Sequence, residues 1–135
     1  MALPLLPPRQ AFVFTIPGAP FTKKNSQRIA KKADGTPFIV QSSHSEGWEK
    51  TAALHLRSQW HRPGGINQPV LMMAAVFRQR NVGDRLNYWA AVSDALEKSG
   101  ILTNDKWIHS VDGSRCFVDA ANPRVEVTIV TLADD

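Results

Sequence analysis

A single cysteine, Cys116, occurs among the 135 residues, so no disulfide can form within the chain, and the lone thiol reads as a packing residue. Cysteine this scarce fits a cytoplasmic protein. No apolar run approaches the roughly 20 residues of a membrane-spanning helix. The apolar opening at residues 1–8 is interrupted by Pro4, Pro7 and Pro8, with no small-residue cleavage site after it, so neither a membrane span nor a signal peptide is expected. His44, His55, His61 and His109 lack paired ligand spacing, which argues against a zinc site. Internal repeats are absent as well.

What remains is a chain long enough for one domain with a real core, 43% hydrophobic and carrying a net charge of +4. The charge is uneven. Residues 1–62 hold nine Lys/Arg against Asp34, Glu46 and Glu49, or +6, whereas residues 63–135 hold seven Lys/Arg against nine Asp/Glu, or −2. A basic half joined to a half with most of the carboxylates suits phosphates held by the first and attacked at metals held by the second. An unevenly charged solvated surface is the plainer account of the same numbers.

Residues 11–17 read as a strand stopped by Pro17-Gly18, and residues 27–33 and 36–40 as a hairpin about Asp34-Gly35. Ser43 and Glu46 are spaced as a capping box for a helix ending near His61, before Pro63-Gly64-Gly65. Residues 70–80 suit a central strand, and Asp84 caps a helix running to about Ser99 and stopping at Gly100. A weak alternation at residues 107–119 leaves room for a strand, and residues 125–130 form the cleanest strand pattern in the chain. The expected fold is α+β: a single domain over residues 1–135, a mixed sheet with two main helices packed on it, its first ten and last three or four residues poorly tied down.

At about 100° per residue, the second helix buries Trp89, Val92 and Leu96 and shows a polar strip of Asp84, Asn87, Asp94 and Lys98, with Ala91 on that side and Leu86 at the edge of the buried face. Asn104, Asp105 and Lys106 follow. A helix of this length spans about 22 Å, so Asp84 and Asp105 can meet only if the chain after Gly100 folds back toward the helix start. Two aspartates suffice for Mg²⁺, which keeps several waters; the ion activates an attacking water, and a nearby Lys or Arg stabilises charge on a phosphate. Taken singly, Asp84 also reads as a helix cap, Asp94 as a surface residue and Asp105 as a turn residue.

The run Gly83-Asp84-Arg85-Leu86-Asn87, then Ser93-Asp94-Ala95-Leu96-Glu97-Lys98-Ser99-Gly100-Ile101-Leu102, then Asn104-Asp105, resembles the RusA family of Holliday-junction resolvases, as does the basic loop Pro20-Phe21-Thr22-Lys23-Lys24-Asn25-Ser26-Gln27-Arg28. By this resemblance Asp84, Asp94 and Asp105 are the catalytic carboxylates, Asp84 and Asp105 the metal ligands, and Asn87 matches the motif asparagine. The sequence departs from the family pattern at Leu86, where a second aspartate is expected, at Ala90, where the lysine is expected, and at Asn104, in the first place of an aspartate pair. The resemblance implies a homodimer that nicks four-way DNA junctions in pairs, with Mg²⁺ (Mn²⁺ as substitute), in recombination and repair, often carried on prophages.

Lys23, Lys24, Arg28, Lys31 and Lys32 are placed to hold phosphates without reading sequence, with Phe21 and Phe38 beside them to stack or to cover the sheet edge. Arg78, Arg80 and Arg85 either clamp the scissile phosphate or pair with Asp84, while Asn104 and Lys106 support Asp105. Trp60, Met72 and Met73 are candidates for a dimer interface. Alternatives to a resolvase are a branched-DNA-binding protein that has lost cutting, and a basic dimeric domain for RNA or protein.

Overall fold

The computed structural model describes residues 2–20, 27–41, 43–81 and 85–133. Its main element is a five-stranded sheet built from β1 (Ala11–Pro17), β4 (Val70–Arg78), β5 (Ile108–Ser110), β6 (Arg115–Val118) and β7 (Arg124–Thr131). The order is β1-β7-β4, with β5 and β6 following one another along the free edge of β4. β7 is antiparallel to both its neighbours, and β5 and β6 run parallel to β4, so the sheet is mixed as expected. The 107–119 segment holds two short strands rather than one. A separate hairpin joins β2 (Gln27–Lys31) to β3 (Pro37–Gln41) through a turn in which Thr36 N–H bonds Asp34 Oδ1 at 2.9 Å and Gly35 adopts φ 91°, open to glycine without a Cβ penalty.

Helices α1 (Ser43–Gln59) and α2 (Arg85–Ser99) pack on each other and on one face of the sheet. β4 shows why: its residues alternate between buried and half-buried, so Val70, Met72, Ala74 and Val76 point to the helices. They meet Leu56, Trp89, Val92 and Leu96 together with Val125, Val127 and Ile129 of β7. Full burial of each such large side chain contributes about 1.5–3 kcal/mol. Met72 is therefore core and unavailable to a dimer interface, whereas Met73 faces the other way and is half-buried. Trp60 packs edge-on against Phe12, with ring centroids 5.1 Å apart, and donates its Nε1–H to Gly64 O at 2.7 Å.

Trp89, Val92 and Leu96 are buried as the helical spacing requires, but so are Tyr88, Ala91 and Ala95. The helix touches both the sheet and α1, so its buried face is wider than one stripe. Leu86 is 71% exposed, well clear of that face.

Residues 2–10, expected to be poorly tied down, are instead bonded along the molecule. Leu3 N–H donates to Gly65 O (2.8 Å), Leu6 N–H to Gln68 Oε1 (2.7 Å) and Arg9 N–H to Thr131 O (2.6 Å). Gln68, buried, returns its Nε2–H to Leu6 O at 3.0 Å. Gly65 sits where the N-terminal segment, the loop before β4 and the end of α2 converge, and a Cβ there would run into the Gly100 carbonyl oxygen. Because the obstacle is backbone, Gly65→Ala should cost about 1–3 kcal/mol. Urea unfolding checks this; an unchanged midpoint would mean the loop yields.

Candidate active site

The end of β4 and the start of α2 are knitted by Arg78. Its side chain is only 6% exposed; Nη2 donates to Asn81 Oδ1 at 2.7 Å, and the guanidinium lies 5.5 Å from the centroid of the buried Tyr88 ring. Arg78 thus holds strand to helix and is not an exposed phosphate clamp. Arg80 and Arg85 are exposed on the same end. Cys116, opposite Val76 in the register, is half-buried; burial pushes its thiol up, against a smaller downward pull from Arg78 and Arg85, so it stays protonated and inert at neutral pH.

Leu86 and Ala90 lie one turn apart, both exposed. Asn87 and Asp94 are half-buried farther round the helix. Asp84 lies outside the described residues.

Asp105 belongs to a single 3₁₀ turn, Asp105–Trp107, beyond the other end of α2. Its backbone N–H donates to Glu97 Oε1 at 3.2 Å, and Asn104 caps the turn by accepting from Lys106 N–H at 2.9 Å. Trp107 Nε1–H bonds Thr103 Oγ1 (3.0 Å) and Asn67 Oδ1 (3.2 Å), and Lys106 Nζ stands 4.9 Å over the Trp107 ring. Asn104 thus caps the turn that bears Asp105, and Lys106 lies over its Trp107 ring. Glu97 is twelve residues past Arg85, about 18 Å along the helix. The chain after Gly100 runs on to β5 beside Val70 and does not carry Asp105 back to the helix start. Carboxylate oxygens suit a hard cation, but among the described residues no three His, Cys, Asp or Glu side chains converge on one point.

Of the basic arm, Lys23 and Lys24 lie outside the described residues, the backbones of Arg28 and Lys31 are on β2, and Lys32 is exposed at the hairpin turn. Phe21 is outside as well, and Phe38 is described only as a β3 backbone.

A further cluster of interacting side chains centres on Arg124. Arg124 bonds Asp119 Oδ2 through Nη1 (2.9 Å) and Glu126 Oε1 through Nε (3.3 Å), and its guanidinium lies 3.7 Å above the Phe77 ring. Phe77 in turn stacks on Phe117, centroids 4.9 Å apart. The Arg124 hydrogen bond is the main cause holding the Asp119 carboxyl below its usual range. Its signal in the sequence is the Arg124-x-Glu126 spacing on a strand, which puts both on one face.

A mixed sheet with two helices on one face and a hairpin ahead of them define a small α+β domain. The chain belongs to the RusA family: the model for endodeoxyribonuclease RusA matches residues 17–130, which takes in the basic loop, the whole of α2 and the Asp105 turn. The family comprises endodeoxyribonucleases that resolve Holliday junctions in recombination, acting on branched DNA and generally with a divalent metal. No curated protein matches the chain. No helix among the described residues is long and apolar enough to cross a membrane.

Proposed function

We propose that this protein is a homodimeric, Mg²⁺-dependent endonuclease that nicks four-way DNA junctions in pairs. The observation that supports it most is the span of the family match, which covers Asp84, Asn87, Asp94 and Asp105 in motif order. On the motif match Asp84 and Asp105 are the proposed metal ligands and Asp94 a further catalytic carboxylate, although within one copy the Asp105 turn lies beside Glu97 and far from the start of α2. When bound, the ion would activate water and offset charge on the phosphate. Arg80 and Arg85 contact phosphate beside the helix start, Arg78 positions that end of the fold, and Lys23, Lys24, Arg28, Lys31 and Lys32 hold the DNA arms. A junction has two-fold symmetry, which an isologous dimer matches.

A second reading is favoured by specific observations: Leu86 and Ala90 replace the motif aspartate and lysine, and Asp105 stands at the opposite end of α2 from Arg85. In that reading the chain binds branched DNA with cutting weakened or lost. Incubating a synthetic four-way junction with the protein and Mg²⁺ or Mn²⁺, and running a mobility shift in EDTA, separates the two. Nicking supports the first, a shift without nicking supports the second, and equal affinity for linear duplex removes both.

Replacing Lys23 and Lys24 with Ala should weaken junction binding and reduce its salt slope by about one to two units, since roughly 0.9 counterions leave per phosphate contact. An unchanged slope would place the basic loop away from the DNA.

A further inference from the structure

We propose that the outer edge of β1 is a docking site for an extended acidic peptide, which adds to the sheet as a further strand beside residues 11–14. This goes beyond the nuclease reading and does not depend on it.

β1 ends the sheet on one side, with β7 as its neighbour. Backbone groups along a strand turn alternately to its two edges. Thr131 N–H donates to Gln10 O at 2.9 Å, so Gln10, Phe12, Phe14 and Ile16 turn their backbone groups to β7, and Ala11, Val13 and Thr15 turn theirs outward. Thr15 is already answered: its N–H donates to Gln59 Oε1 at 3.0 Å, and its carbonyl accepts from Gln59 Nε2 at 2.8 Å. The carboxamide thus makes the two bonds that one residue of an added strand would make. Among the described residues no group does the same for Ala11 or Val13. Val13 is 68% exposed, and no charge, proline or bulge blunts the edge from Ala11 to Phe14.

The chemistry of the occupant follows from what flanks this edge. A hollow lies beside it, lined by Phe12, Phe14, Trp60, His61 and Arg62, with no carboxylate in its lining. Alternate side chains of an added strand share the face on which Phe12 and Phe14 point, and so enter the hollow. There the exposed Arg62 guanidinium stands 5.1 Å from the centroid of the Phe12 ring and 5.9 Å from that of Trp60. No carboxylate among the described residues pairs with it. Arg9 is exposed just ahead of β1. Acidic side chains suit these positions, and the residues between them fall on the face of Val13, where β-branched side chains pair well. A phosphate backbone fits worse, because it offers only acceptors and the outward carbonyls of Ala11 and Val13 need donors. A second copy of β1 fits worse too, because it would bring two sets of these cations together.

Fluorescence anisotropy of the full chain with a labelled octapeptide of alternating Glu and Val tests this, beside the same peptide with Lys in place of Glu. The acidic peptide is expected to bind and the basic one not. Val13→Pro removes an outward N–H without touching the ladder to β7, and should weaken the acidic peptide at least about tenfold with a melting curve close to wild type. Arg62→Glu should weaken it as well and make the Lys peptide the better ligand, a swap that misfolding cannot produce. A wild type that binds neither peptide overturns the proposal, as does acidic-peptide binding that Val13→Pro leaves unchanged. Binding that survives Val13→Pro and is displaced by linear duplex DNA assigns the patch to phosphate. Conversion of a dimer to a monomer by Val13→Pro, read by sedimentation, assigns the edge to a second copy. Either result overturns the peptide.

Discussion

Asp84→Asn is expected to abolish nicking of a four-way junction while leaving junction binding intact or slightly tighter. If Asp84 holds the metal, as proposed, removing its carboxylate forfeits several kcal/mol of stabilisation at the phosphate, which lowers the rate by at least about a hundredfold. It also removes a negative charge that repels DNA, hence the unchanged or improved affinity. Asp105→Asn should behave alike if the two aspartates serve one ion. A rapid-quench nicking assay beside a mobility shift separates the terms. Nicking at the wild-type rate would exclude Asp84 from the chemistry, and parallel loss of binding and cutting would point to a folding defect instead.

The second large effect is a gain. Leu86→Asp combined with Ala90→Lys restores two of the three residues at which this chain departs from the family pattern, the third being Asn104. From sequence, Leu86 at the edge of the buried face would make a carboxylate there cost about 1–3 kcal/mol. The structure removes that cost, since Leu86 is 71% exposed and Ala90 is exposed one turn away. The introduced pair should change stability by no more than about 0.5 kcal/mol. If the rest of the site is intact, nicking should rise well above wild type, by a hundredfold or more if the new groups supply the missing several kcal/mol. A double variant that melts like wild type, binds Mg²⁺ no better and cuts no faster would show that this chain has no resolvase site of the family's form.

Where local chemistry decides structure, the sequence was readable. Asp34-Gly35 marks the hairpin turn, Gly100 at φ 85° ends α2, and the strict alternation of β7 names its buried residues. Tertiary packing was not readable. Arg78 looks like a surface cation in sequence, whereas the structure buries it against Asn81 and Tyr88. A single buried stripe would put Ala91 on the polar side, whereas α2 meets two neighbours and buries it. The candidate site divides the same way. Its residues were legible from motif spacing, but the position of Asp105 beside Glu97 depends on how the chain leaves Gly100, about which helical periodicity says nothing.

β7, the last strand in the chain, lies between β1 and β4 in the sheet. A ribosome therefore releases β1 and β4 long before the strand that joins them, and the sheet cannot close until β7 has emerged. Its pairing of residues 11–17 with 124–130 is a long-range contact, which predicts slow closure of the sheet. A chain cut short before β7 would lack the seam of its sheet, so such a product carries the acidic motif but no scaffold to present it.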